Sequence, residues 1–452
     1  MNYVDLFSGA GGLSLGFKDA GFNMLFSNEI DEYAVLTQKQ NLERLGESSN
    51  KVISCSIEEL HSKIIGREVN YEFQGEKVLN HGSNKLLYKK AQTLNSEQLK
   101  IVKRAKDIDV IIGGPPCQGF SSASKGNKSF HAKDYKNYID DPRNQLFKYF
   151  LDFVGHYNPK LVLIENVKGL VSSSNYQQLI DNSLQNTGMG YFTYSQVFNS
   201  AKFGIPQVRE RLFFIGVRRD IKNAEEFVFY LDSLLLGQAH KKLSLYEAIN
   251  DLPPIRSNPK SLNTKKENEI PIGQEGSFGE NESTLGYREL VKGLSDYVKN
   301  INTFKGKLIE PEKLYNHKSR FNNKDDLKIY SILSAGKTLT HNENKDALKL
   351  VKYSTNSFAD KYFKLDPDKP SRTIVAHLKN DNNGYIHYGK VPRGISPREA
   401  ARIQSFPDWY KFEGPLSFQF KQIGNAVPPK LAYVFARIFH NFLTGGIEKT
   451  IN

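Results

Sequence analysis

The sequence predicts an α/β fold, a doubly wound and mostly parallel sheet joined to a second, smaller and irregular domain. Three observations carry this expectation. Short apolar runs alternate with helix-length segments through the first half of the chain, the pattern of successive βαβ units. A glycine-rich turn, Asp5-Leu6-Phe7-Ser8-Gly9-Ala10-Gly11-Gly12, separates the first of those runs from the first helical stretch. After Arg219 the regularity stops, and up to about Lys369 the chain is rich in lysine and asparagine with irregular apolar spacing.

Taken in order, Tyr3 to Phe7 reads as a strand and Leu13 to Ala20 as a helix. Met24 to Ser27 forms a second strand ending at Glu29, and Val52-Ile53, Val110 to Ile112, Leu161 to Ile164 and Leu212 to Ile215 continue the series. Continuous apolar runs of this length suit strands buried on both faces. Gly66 to Lys106 is long for one crossover and reads as a surface insertion. Helical periodicity returns at Pro397 to Ile403 and at Lys430 to Phe442. The expected organisation is a catalytic and ligand-binding domain over 1–219, a recognition domain with linkers over 220–369, and a return segment over 370–452 that completes the first.

With 62 basic and 49 acidic residues the chain carries a net +13, which points to a polyanionic partner or a merely soluble basic surface. Two cysteines, Cys55 and Cys117, cannot build a disulfide framework or a multi-cysteine zinc site, and no metal is expected. No basic-then-apolar leader opens the sequence and no apolar run approaches the roughly 18 residues of a membrane span. The expectation is a cytoplasmic protein.

Chemistry gathers at a few short segments. Gly113-Gly114-Pro115-Pro116-Cys117-Gln118-Gly119-Phe120-Ser121 follows a buried-strand signature and so places a thiol at the carboxyl edge of a sheet, where ligand sites of open α/β folds lie. Prolines before the thiol stiffen its mount, and the glycine and serines after it loosen a loop, a pattern that suits covalent catalysis under a closing lid. A buried structural cysteine is the alternative. The Asp5–Gly12 turn lets backbone approach a ligand and Glu29 could accept ribose hydroxyls, together suggesting an adenosine-containing cofactor; a tight structural turn beside a solvated Glu is the alternative. Glu165 follows a strongly apolar strand and could share a proton at the same sheet edge, or cap a helix. Arg209 and Arg211 alternate on entering a strand, so both should point one way and offer two forks to phosphate or base, unless they form surface ion pairs with Glu210.

The ordered set of the Asp5–Gly12 turn, Glu29, Pro115-Pro116-Cys117-Gln118, Glu165-Asn166-Val167, Gln207-Val208-Arg209-Glu210-Arg211 and Gly424-Asn425-Ala426-Val427-Pro428-Pro429 resembles the cytosine-C5 DNA methyltransferases of bacterial restriction–modification systems. The resemblance covers most of the chain outside the variable recognition region. It implies a Rossmann-like fold dependent on S-adenosyl-L-methionine, flipping of the target cytosine out of the duplex, and attack of Cys117 on C6. It also implies that Glu165 contacts N3 and the exocyclic amine, that Arg211 binds O2, and that Arg209 supports them. Cofactor contacts are implied for Phe7, Gly9, Ala10, Gly11, Gly12, Glu29, Ile57, Pro116, Leu146, Asn425 and Val427. Ser56 departs from the Gly-Asp-Ile that many relatives carry and lacks the carboxylate for the adenine amine. Gln118 to Lys136 is the implied DNA-closing loop, with Gln118, Ser121, Lys125 and Lys128 as DNA contacts.

Asn316-His317-Lys318-Ser319-Arg320 resembles a recurring bacterial segment without a defined chemical role, and Arg372 reads as structural. The implied partners are double-stranded DNA and a cognate restriction endonuclease acting on the same site, with the enzyme a monomer associated with the bacterial nucleoid. Three other readings compete. A transfer-RNA methylating relative would carry a Cys-Phe-Thr motif, absent here; a non-catalytic DNA-binding regulator would have lost Cys117 or Glu165. A nicotinamide oxidoreductase would need a full glycine fingerprint.

Overall fold

The computed structural model describes residues 1–66, 71–73, 76–78, 94–116, 146–171, 174–257, 277, 285–341, 344–351, 361–380 and 383–451. They form two compact units, one comprising 1–199, 210–239 and 431–452, the other 200–209 and 240–430. These breaks fall later than the change of sequence character after Arg219 and Lys369. The helix Ala224–Leu236 buries Phe227, Leu231 and Leu235, and Phe227 stacks on Phe442 with centroids 3.9 Å apart. That stretch therefore stays with the first unit.

The first unit is built on a seven-stranded sheet: β1 (Asn2–Leu6), β2 (Asn23–Glu29), β3 (Val52–Ser54), then, after a short hairpin β4 (Tyr71–Phe73) and β5 (Glu76–Val78), β6 (Val110–Gly113), β7 (Leu161–Val167), β8 (Tyr191–Asn199) and β9 (Glu210–Arg218). The order is β3-β2-β1-β6-β7-β9-β8; the first five run parallel, and β9 pairs antiparallel with both β7 and β8. The order reverses direction between β1 and β6, so their carboxyl ends define the switch point where ligands of such sheets bind. Helices α1 (Gly12–Asp19), α2 (Glu32–Arg44), α3 (Ile57–Ile64), α4 (Ser96–Arg104), α5 (Leu146–Tyr157), α6 (Ser174–Gln185) and α7 (Ala224–Leu236) connect or follow the strands. On one face Val4, Ile53, Ile111, Val162, Ile164 and Phe214 pack into a continuous core with Phe150 and Val154 of α5.

One expectation needs correction, and one strand was not foreseen. The expected insertion does not run to Lys106: α4 opens with an Asn95–Gln98 capping box and Val102 lies in the core. The strand β8 has no apolar run, since as a sheet edge most of its residues are half-buried. Among the described residues no helix is long and apolar enough to cross a membrane.

The second unit is organised by polar groups. Its helix Pro397–Ile403 starts with a Ser396–Glu399 capping box and Pro at the first turn, and every residue is buried, including Arg398, Glu399 and Arg402. Arg402 donates to Asp408 Oδ1 at 2.8 Å and Oδ2 at 2.7 Å and to Asp251 at 2.5 Å. Arg393 grips both oxygens of Glu399 at 2.7 and 2.6 Å. The segment around His317 joins this network. Asn316, in the left-handed region at φ 62°, exchanges side-chain bonds with Phe412 N and O, both at 2.9 Å. Arg320 donates to the carbonyls of Leu378 at 3.2 Å and Lys379 at 2.6 Å. This recurring segment is thus a set of side-chain bonds to distant backbone. Arg372 lies over the rings of Phe363 and Tyr385.

Candidate active site

Three residues of the first turn, Phe7 (φ 58°), Gly9 (φ 55°) and Gly11 (φ 77°), are left-handed, which bends the chain sharply between β1 and α1. Among the described residues a side chain at Gly9 would meet nothing within 4 Å, so conformation and not their packing demands glycine, and on that side they leave the turn open to a ligand. Glu29, the last residue of β2, accepts Gly9 N at 2.7 Å and Ile30 N and Asp31 N at 2.8 Å. Burial raises its carboxyl above the usual range, against the pull of those three amides. The carboxylate holds the turn and retains lone pairs for hydroxyl donors. The turn therefore fits a cofactor presenting hydroxyls better than one presenting phosphate, which would meet this carboxylate.

The other expected cofactor residues fall in two places. Ala10, Gly12 and Ile57 are buried in the first unit, Phe7, Pro116 and Leu146 are half-buried there, and Leu146 opens α5. Ser56 is the N-cap of α3 and accepts Glu59 N at 3.1 Å. Asn425, exposed, and Val427, buried, lie in the second unit.

Antiparallel pairing of β7 with β9 sets Glu165 opposite Phe213 and Val167 opposite Arg211. On that frame Arg211 Nε lies 3.1 Å from Glu165 Oε1, with the side chains 18% and 12% exposed. Asn166 donates to Pro115 O at 3.4 Å and accepts Val167 N at 2.8 Å, tying this strand to the turn that leads to Cys117. Lys168 pairs with Glu210 at 2.8 Å outside the site. Beneath the first turn, Asp5 is fully buried and accepts Ser14 Oγ at 2.6 Å. Burial pushes its carboxyl up to about 7; the Ser14 hydroxyl opposes the shift and the Glu29 charge adds to it.

Cys117, Gln118, Ser121, Lys125 and Lys128 lie outside the described residues. Cys55 is buried and its thiol is pushed up to about 12, by burial first and by the charges of Glu59 and Glu58, so it is held as an inert thiol. The expectation that Arg209 and Arg211 share a face is corrected. β9 begins at Glu210, and Arg209, 1% exposed, belongs to the second unit, where Nη1 donates to Ile374 O at 2.9 Å and Gly424 O at 3.1 Å. Gln207 beside it bonds Ile374 N at 2.8 Å and Ile403 O at 3.3 Å. The roles of Gln207 and Asn166 are not visible in the sequence, because their partners lie far along the chain.

A seven-stranded sheet with this strand order and a Glu–Arg pair at the end of β7 defines a family when matched against known proteins. The family model for C-5 cytosine-specific DNA methylase matches residues 1–66 and 79–440, and the chain belongs to that family. Among its relatives are type II methyltransferases of restriction–modification systems. It is 30% identical to the type II methyltransferase M.Bpa9945I of Bacillus paralicheniformis, over 98% of this chain and 100% of that one. To the type II methyltransferase M.AgeI of Thalassovita gelatinovora it is 29% identical, over 96% and 98%. A solved E. coli prophage protein, a candidate DNA modification methyltransferase, aligns over 98% of this chain and 99% of its own at 26% identity and a TM-score of 0.59.

Proposed function

We propose that the chain transfers a methyl group from S-adenosyl-L-methionine to C5 of one cytosine within a specific duplex DNA sequence, and protects host DNA beside a cognate endonuclease acting at the same site. The observation that carries the reading is the Glu165–Arg211 pair, set by the β7–β9 register next to the Gly113–Pro116 turn. A carboxylate facing a guanidinium offers a pyrimidine both an acceptor for its amine and a donor for its carbonyl.

Cys55 being inert, Cys117 is the nucleophile. Its thiolate adds to C6 of a flipped cytosine, and Glu165 holds N3 and the exocyclic amine as charge moves onto the ring. Arg211 donates to O2. C5 then takes the methyl; loss of the C5 proton and expulsion of the thiolate restore the aromatic ring. Bound S-adenosylmethionine supplies the electrophilic methyl. Toward it, the Phe7–Gly12 turn and Glu29 receive the ribose hydroxyls, Ile57 packs on the adenine, and Pro116, Leu146, Asn425 and Val427 add contacts. Gln118, Ser121, Lys125 and Lys128 meet the DNA backbone, and the second unit carries target recognition. Arg209, whose Nη1 donates to the Ile374 and Gly424 carbonyls, positions and does not touch the base.

The test is transfer of labelled methyl to mixed duplex DNA by the full chain and by Cys117→Ala, with bisulfite sequencing of the product. Transfer that is lost in the variant, with methylated cytosines aligned on one sequence, supports the reading. A folded, cofactor-binding chain that methylates RNA and no duplex DNA replaces it with an RNA cytosine methyltransferase.

A further inference from the structure

Two adjacent glycines end β6 for different reasons. At Gly113 a Cβ would stand 2.2 Å from Leu6 O and 2.9 Å from the Phe150 ring, so sheet packing alone demands glycine. Gly114 escapes that explanation. Its φ is outside the left-handed region, and among the described residues a Cβ there would meet only Glu165, at 3.5 Å from Oε2 and 3.8 Å from O. Both are ordinary contacts that the protein tolerates. Gly114 is half-buried.

Glu165 supplies the reason. Arg211 Nε pairs with Oε1 at 3.1 Å as an ion pair without a hydrogen bond, and among the described residues nothing donates to Oε2 either. A substrate N–H must come within about 2.7–3.2 Å of that oxygen. A methyl carbon lying 3.5 Å from Oε2 takes the space through which the donor's own ring would arrive. We propose that Gly114 is a specificity-determining residue, whose missing side chain keeps a slot open before Glu165 Oε2 for the amine edge of the target pyrimidine. The assignment of the ligand rests on the proposed function; the slot itself follows from the Gly114–Glu165 geometry.

The test uses the full chain with labelled S-adenosylmethionine and mixed duplex DNA, comparing wild type with Gly114→Ala. The variant is expected to keep its melting temperature within about 2 °C and its affinity for S-adenosylhomocysteine within about threefold. Its kcat/KM for DNA should fall at least about 30-fold, as Oε2 is denied the amine donor. Transfer at the wild-type rate overturns the proposal. Should alanine lower the melting temperature by more than about 5 °C, wild type alone decides, with duplexes carrying cytosine or 2-pyrimidinone, which lacks the amine, at the methylated position. Tighter binding of cytosine by at least about tenfold supports the slot, and equal binding overturns it. A wild-type chain that binds S-adenosylhomocysteine but methylates no duplex removes the functional reading, and with it the ligand assigned here.

Discussion

Lowering the pH from 7 to 5 should destabilise the second unit through two histidines. His317 is fully buried, with Nδ1 2.9 Å from Ser396 Oγ and Nε2 2.9 Å from Pro253 O. His387 accepts Gly389 N on Nδ1 at 2.8 Å and lies 3.4 Å from Glu399 through Nε2. Burial is the largest cause for both rings and holds His317 down to about 4 and His387 down to about 3. Arg393 pushes both the same way and Glu399 opposes; Arg402 adds to the depression at His317, and Lys364 and the neighbouring His317 add to it at His387.

A base whose folded pKa is depressed stabilises the fold fully above its unfolded value and loses that contribution as the pH falls toward the folded one. Between 6.5 and 5 each unfolded imidazole binds a proton that its folded counterpart refuses, at about 1.4 kcal/mol per pH unit. That is about 2 kcal/mol for each ring and about 4 kcal/mol together, against a total stability of roughly 5–15 kcal/mol. Since both folded values lie well below 5, the sum depends almost wholly on the unfolded pKa. The assay is available in the protein itself: its single tryptophan, Trp409, is buried in the second unit against Phe304. Urea unfolding followed by its fluorescence, at pH 7 and pH 5, should show the loss, and His317→Gln should remove about 2 kcal/mol of the pH dependence. A variant with the wild-type pH dependence would refute the reasoning.

Other expectations follow from the same contacts. Gly424→Ala places a Cβ 2.3 Å from Val375 C and 2.4 Å from Ala376 N; with backbone against backbone the cost should reach about 3 kcal/mol or more, read as a lower Trp409 midpoint. Arg402→Met leaves Asp251 buried without its cation and Asp408 with only Arg398, 3.7 Å away, and should cost about 3–5 kcal/mol by the same assay. Arg209→Lys, which loses the buried planar guanidinium whose Nη1 reaches Ile374 O and Gly424 O, should lower that midpoint. Arg211→Lys should leave it unchanged while methyl transfer falls by about two orders of magnitude or more. Lys168→Ala removes only an exposed pair and should change stability by less than about 1 kcal/mol in thermal melts followed by circular dichroism.

The sheet was legible wherever a strand is buried on both faces. Val110–Ile112 and Leu161–Ile164 are apolar runs because helices cover both sides of a parallel sheet, and β6 and β7 lie where those runs predict. The edge strand β8 alternates half-buried Thr193 and Ser195 with half-buried Phe192 and Tyr194, so no run announces it. Glu165 and Arg211 were legible as residues but not as a pair, because nothing local says that β9 turns antiparallel beside β7. The second unit was hardest to read for a physical reason. Its order comes from bonds such as Arg320 to Leu378 and Lys379, nearly 60 positions apart, and such bonds leave no periodicity in the sequence.

The charged pairs of the two units differ in a way that separates structure from chemistry. In the second unit Glu399 and Asp408 are saturated. Glu399 takes two bonds from Arg393 and one from Ser396 N, and Asp408 takes Arg402 twice, together with Tyr287 and Asn302. Both are held below the usual carboxylate range: Arg393, then His387, offset burial at Glu399, and Arg402, with Arg398 behind it, does so at Asp408. Such groups have no capacity left for a substrate, and removing one partner leaves a buried charge exposed to the full cost of desolvation. Glu165 is built otherwise. It sits at the end of a strand, 12% exposed, with Oε1 in an ion pair with Arg211 that is not a hydrogen bond and Oε2 beside Gly114. A carboxylate that must exchange partners during each reaction cycle has to keep one acceptor unspent and one route open to it. Glu165 meets both conditions and Glu399 and Asp408 do not, which supports the proposed chemistry at the β7–β9 edge and a structural part for the more heavily charged helix Pro397–Ile403.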